Sequence, residues 1–158
     1  FSFYTRGMSF VDMAHLKKKD LQNGFLSYRR RKTGQQLVIR WEKCMQEIVG
    51  KYPEDNLSPY LLPVLKYPFK DTHKHYRNVM SGINRNLKEI AGLADISVTL
   101  SMYCARHSWA SAAKSKNVPI SVISEGMGHD SEMTTQIYLA SLDNSVVDKA
   151  NFSILREL

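Results

Sequence analysis

The chain has 158 residues, enough for one domain with a substantial core, and 43% hydrophobic against 23% charged residues is ordinary for a globular protein. Its formal charge of +7 and pI of about 9.4 suit a polyanionic partner. No apolar run reaches the roughly 18–20 residues of a membrane span, and Cys44 and Cys104 form no CxxC, which argues against a zinc site or a disulfide framework and for a reducing, cytosolic setting.

The opening residues Phe1-Ser2-Phe3-Tyr4-Thr5 read as the inside of an apolar helix with no cap. The chain is therefore expected to be cut from a longer protein, with its first helix truncated and any N-terminal module absent. Residues 9–16 have helical spacing through Phe10, Val11, Met13 and Ala14. Lys17 to Asp20 follow as a solvated turn. Residues 25–31 and 35–40 are rich in aromatic and β-branched side chains, and Lys32-Thr33-Gly34 between them predicts a hairpin. Residues 41–50 return to helical spacing, ended by Tyr52-Pro53. Residues 56–68 are apolar but broken by Pro59, Pro63 and Pro68, which predicts a loop.

The clearest helix spans residues 72–93, where Tyr76, Val79, Met80, Ile83, Leu87 and Ile90 recur at three or four residues. Further helices are expected over 101–116, from Pro119 to Gly126 or Gly128, and from a cap at Asp130 or Ser131 through Tyr138. A last one is placed at 144–155. The fold class is mainly α with a small antiparallel β-sheet, in a single domain over residues 1–158.

Charge is unevenly spread. Lys17, Lys18, Lys19, Arg29, Arg30, Arg31, Lys32 and Arg40 stand against the single acid Asp20 between residues 17 and 40, while residues 121–148 hold no Lys or Arg. One face is thus expected to be much more positive than the rest, a solvated surface or a phosphate-binding one.

Two segments make the chain recognisable: Cys104-Ala105-Arg106-His107-Ser108-Trp109-Ala110, and Met127-Gly128-His129 followed nine residues later by Tyr138. They resemble the tyrosine recombinase (phage integrase) family, in which an Arg-His-Ser/Thr-Phe/Trp-Ala stretch precedes a Leu-Gly-His-like turn and a nucleophilic tyrosine. Upstream, Thr5-Arg6-Gly7-Met8-Ser9-Phe10-Val11-Asp12 resembles the family's first arginine box, especially that of conjugative-transposon integrases. Arg31-Lys32-Thr33-Gly34 is similar to its lysine-bearing hairpin. The resemblance runs in order along essentially the whole chain.

The resemblance implies cutting and rejoining of double-stranded DNA through a covalent 3′-phosphotyrosyl link, by Arg6, Lys32, Tyr103, Arg106, His129 and Tyr138. A phenol with a pKa near 10 is a poor nucleophile at neutral pH and needs cationic surroundings. Planar guanidinium forks at Arg6 and Arg106 suit the non-bridging oxygens of a phosphodiester and the charge that builds on them. Lys32 is the candidate donor of a proton to the departing 5′ oxygen, and His129 a hydrogen-bonding partner of the phosphate. The bond energy stays in the phosphotyrosyl link, so no cofactor, ATP or metal is expected. Arg30, Arg31, Thr33 and Arg85 are candidate DNA contacts.

The resemblance further implies a missing core-binding domain, a homo-tetramer in the synaptic complex (the fragment alone a monomer), no membrane, and a cytoplasmic, nucleoid-associated setting. Residues 141–158, with Val146, Val147, Ala150, Phe152 and Ile154, are either passed to a neighbouring protomer or folded back in cis.

One position departs from the family pattern. Tyr103 stands where the second arginine is commonly preceded, at three residues, by His; a phenol can donate a hydrogen bond to phosphate but carries no positive charge. His107 reads as structural support or as an indirect partner of the phosphate site, with support favoured. Asp12 reads as orienting an arginine or capping a turn. His15, His73 and His75 form no convincing metal set. The rival readings are a helix–turn–helix DNA-binding module over residues 119–138, whose second helix offers only Gln136 to read bases, and a type IB topoisomerase.

Overall fold

A computed structural model describes residues 1–65 and 72–140. The expected C-terminal helix at 144–155, and the question of where residues 141–158 pack, lie outside the described residues. Residues 2–6 form turns closed by Thr5 N–H to Phe1 C=O, 3.0 Å, and Gly7 N–H to Ser2 C=O, 2.8 Å. Helix α1 (Phe10–His15) begins at Ser9, whose Oγ accepts from the Asp12 N–H. An exposed 3-10 turn (Lys18–Asp20) leads into a three-stranded antiparallel sheet of β1 (Leu21–Gln22), β2 (Phe25–Arg29) and β3 (Gln36–Arg40), in that order.

Strand alternation explains the sheet's inner face. Leu26 pairs with Ile39 and Tyr28 with Leu37, and all four are buried. That face packs on Met8, Met13 and Leu16, on Met45 from α2 (Lys43–Val49), and on Leu62. Strand β1 is absent from the sequence expectation. Asn23 and Gly24, both with positive φ, make the tight Asn-Gly turn that pairs β1 with β2, too short a strand to show a pattern.

The long helix α3 (Thr72–Leu93) has the expected bounds. It meets α1 where Tyr76 stacks on Phe10, ring centroids 5.4 Å apart. The second core lies among α4 (Cys104–Ser115), α5 (Ile120–Met127) and α6 (Glu132–Ala140). Ala110 and Ala113 let α4 approach, and Ile123, Met127 and Leu139 fill the space between. Full burial of Ile123 and Met127 contributes about 1.5–3 kcal/mol each. The fold is mainly helical with one small antiparallel sheet.

Two details adjust the sequence reading. The strands stop at Arg29 and resume at Gln36, because Arg30 N–H bonds Gln35 C=O (2.8 Å) and Gly34 N–H bonds Arg30 C=O (2.7 Å), closing a loop. Arg30 and Arg31 therefore belong to the hairpin's tip. Helix α4 begins at Cys104 rather than 101, leaving Tyr103 at its N-terminal edge.

Candidate active site

Arg106 sits between the two cores, 4% exposed, although it carries a full charge. Its place is set by backbone geometry. Gly7 adopts φ +72°, and a Cβ there would lie 2.8 Å from the Arg106 Cα, so only glycine permits this approach. Arg106 Nη1 donates to Gly7 C=O at 2.9 Å, and Nη2 donates to Met127 C=O at 2.8 Å and faces His129 Nε2 at 3.0 Å. Two carbonyls from opposite halves of the domain thus fix the guanidinium plane. Of the five N–H groups of arginine, two remain uncommitted among the described residues.

His129 lies two residues beyond the end of α5. Gly128, at φ +64°, takes the left-handed conformation that stops the helix, with Gly128 N–H to Glu125 C=O and His129 N–H to Ser124 C=O, each 3.0 Å. The His129 Nδ1 lies 2.8 Å from Oγ1 of fully buried Thr135. Because Nε2 accepts from Arg106, Nδ1 carries the proton and donates to Thr135. Burial, then the charges of Arg106, Arg30 and Lys32, push the His129 pKa down to about 4, so the ring is neutral at pH 7.

Tyr138 lies half-buried on α6, whose N-terminus Ser131 caps by accepting the Thr134 N–H at 3.3 Å. Its ring is 5.6 Å from that of His129. The phenol oxygen is 2.9 Å from His107 Nδ1, and the two rings are parallel within 2° at 5.2 Å. Tyr103 stands edge-on to both, 4.5 Å from His107 and 6.4 Å from Tyr138. Burial and the Tyr103 phenol hold the Tyr138 pKa above its ordinary value, against the pull of Arg106. Without DNA this is a protonated phenol. Burial, and then Arg106, lower the His107 pKa.

The remaining expected residues gather unevenly. Arg6 has a left-handed backbone at φ +58°, a strained conformation for a residue that carries a Cβ, and its Cδ passes 3.6 Å from where a Cβ on Gly126 would stand. It also acts with Arg30 and Arg106 on the buried Tyr28 phenol, so three guanidinium groups share this region. Lys32 is exposed at the hairpin tip and within electrostatic reach of His129. Arg31 and Arg85 are exposed, as a DNA contact requires.

Arg30 is a correction to the expected DNA contacts. It is 7% exposed, and its Nη1 donates to Gly128 C=O, which also accepts from Thr33 Oγ1 at 3.4 Å. A cation spent on tying the hairpin to the His129 turn is not a surface contact. Of the two roles expected of Asp12, orienting an arginine or capping a turn, its contacts fit the capping one. Buried at 3% exposure, it receives the Ser9 hydroxyl at 2.6 Å and the Arg31 backbone N–H at 2.9 Å, which pins the hairpin to α1. His107 touches the phenol oxygen, and sequence reasoning placed it further away. Thr135 was missed altogether; its spacing of three before Tyr138 on one helix face was the available signal.

This arrangement, an anion-ready guanidinium beside a histidine and a phenol, is accompanied by family membership. Residues 3–145 match the phage integrase family, and the chain belongs to it. Over 141 residues it is 30% identical to the tyrosine recombinase XerA of Pyrococcus furiosus, an alignment covering 85% of this chain and 46% of that protein. The chain therefore spans under half the length of that relative. Its fold is similar to the crystal structure of XerA recombinase, with a TM-score of 0.67 at 20% identity over 96% of this chain and 54% of that one. It is also similar to XerH site-specific recombinase bound to palindromic difH substrate in a post-cleavage complex, with a TM-score of 0.62 at 18% identity over 94% and 44%.

Proposed function

We propose that this chain is the catalytic domain of a site-specific DNA recombinase that cuts and rejoins strands through a covalent 3′-phosphotyrosyl intermediate on Tyr138. The observation that carries the reading is the convergence of Arg106, His129 and Tyr138, from three different helices or helix ends, on one cluster. Arg6 and Arg106 grip the non-bridging oxygens of the scissile phosphate, and Arg106 is preorganised for it by two carbonyls. With DNA bound, the His129 proton moves to Nε2, which donates to the phosphate in place of accepting from Arg106, while Nδ1 accepts from the Thr135 hydroxyl; Tyr103 adds a neutral hydrogen bond. Lys32 protonates the departing 5′ oxygen. Arg31, Thr33 and Arg85 line the path of the duplex. The working assembly is a tetramer on two duplexes, in a cytoplasmic, nucleoid-associated setting.

The test is a suicide DNA substrate whose cut end cannot religate. Wild-type protein accumulates a covalent adduct, and Tyr138→Phe forms none while still binding DNA. An adduct that survives Tyr138→Phe moves the nucleophile elsewhere; binding with no wild-type adduct leaves a DNA-binding module. Affinity falls steeply with added salt, because phosphate contacts release counterions.

A further inference from the structure

We propose that His107 is the proton acceptor for the nucleophile, taking the Tyr138 phenol proton on Nδ1 as the oxygen attacks phosphorus. This rests on the recombinase reading above.

Geometry makes the first part of the case. The phenol oxygen and His107 Nδ1 are 2.9 Å apart, at hydrogen-bond distance before any substrate is present. The parallel rings hold that pair in one orientation, and Tyr103, four residues earlier at the N-terminal edge of α4, braces the imidazole edge-on. His107 directly follows Arg106, so the same helix that sets the anion clamp also sets the acceptor. Attack geometry and proton removal are thereby fixed together.

Chemistry makes the second part. A phenol held protonated by burial gives little phenolate at neutral pH, so its proton has to move during attack. Among the neighbours, Arg106 is always charged and accepts nothing. His129 holds Nδ1 on Thr135 and turns Nε2 to Arg106, and to the phosphate once DNA is bound. Tyr103 is itself a phenol. His107 is a neutral ring, because burial and Arg106 disfavour its cation, and its Nδ1 lone pair faces the proton to be lost. The charged and titratable groups around it are Arg106 and Tyr103 from α4 and Tyr138 from α6, with His129 behind the phenol ring.

The step balances. The Tyr138 Oη–P bond forms and the P–O5′ bond breaks; the phenol proton passes to His107 Nδ1 while the 5′ oxygen takes a proton from Lys32. The imidazolium formed beside Arg106 is offset by negative charge building on the phosphoryl oxygens. On rejoining, His107 returns its proton to the departing phenolate.

The experiment measures single-turnover cleavage of the suicide substrate by the full-length protein across pH. Wild type levels off once His107 is neutral. His107→Gln, which keeps an acceptor but not a base, is expected to cleave about 100-fold more slowly near pH 7, with a rate that keeps rising with pH where wild type is flat. A 5′-bridging phosphorothiolate, whose leaving thiolate needs no proton, restores Lys32→Ala but not His107→Gln. Wild-type speed in His107→Gln, or a slower profile parallel to wild type, overturns the proposal.

A second measurement needs no variant. Side-chain ¹⁵N shifts of wild-type His107 are expected to show a neutral ring protonated on Nε2 near pH 7, and a cationic or Nδ1-protonated ring overturns the proposal. Wild type without an adduct removes the recombinase reading itself. An active wild type with unaffected His107→Gln removes only His107.

Discussion

His129 and Thr135 are joined by a 2.8 Å hydrogen bond in a part of the molecule where Thr135 has no exposed surface. In the DNA-free protein the bond leaves the His129 proton on Nδ1, and it ties the turn that follows α5 to the helix that bears Tyr138. Thr135→Val keeps the shape and removes the partner. Leaving the Nδ1–H unsatisfied costs about 1–3 kcal/mol. Cleavage is expected to fall by roughly tenfold or more, since about 1.4 kcal/mol is a factor of ten in rate. Thr135→Ser, which keeps the hydroxyl, retains most activity; equal loss in both variants would falsify the link.

Gly7→Ala tests the backbone approach beneath the clamp. A methyl group there meets the Arg106 Cα at 2.8 Å and has to adopt φ +72° as well. Chemical denaturation is expected to show a loss of about 1–3 kcal/mol. Adduct formation falls further than stability does, because Arg106 is displaced. A fully active, fully stable Gly7→Ala protein contradicts this packing.

Asp12→Ala strands the Ser9 hydroxyl and the Arg31 N–H. The expected loss is about 1–3 kcal/mol, with faster amide hydrogen exchange at Arg31 and the hairpin tip. Asp12→Asn, which still offers an oxygen to the Arg31 N–H, loses less. Unchanged exchange in Asp12→Ala shows that the hairpin is held by something else.

Two site histidines make stability depend on pH in a defined direction. His129 titrates at about 4 and His107 is also lowered, whereas both return to the ordinary histidine value in the unfolded chain. Between about pH 4 and 6.5 the unfolded state binds more protons, so their contribution is full above that window and lost as pH falls through it. Denaturant titrations of DNA-free protein are expected to show this slope, flattened in His129→Gln. A stability that is flat or rises toward acid runs against it.

Much of this was legible beforehand, for physical reasons. The bounds of α3 follow from apolar residues at helical spacing over 22 positions, a long signal. The nine-residue interval from His129 to Tyr138 brings their rings together because a glycine cap and a capped helix leave the chain few alternatives. The inward turn of Arg30 was not legible, since its neighbours Arg29 and Arg31 have the same composition and only the loop closure decides which one points in. His107 was misjudged for a similar reason. One helical step separates it from Arg106, and sequence alone does not say whether α6 passes on that side.

The clamp at Arg106 is assembled from a carbonyl at residue 7 and another at residue 127, across two separate cores. A ribosome delivers the first of these long before the second. Until α5 and α6 emerge and dock, the nascent chain holds its arginines without the clamp; afterwards, local melting of either core releases one carbonyl and loosens it. On the proposed recombinase reading, the chemistry would thereby be confined to fully folded molecules.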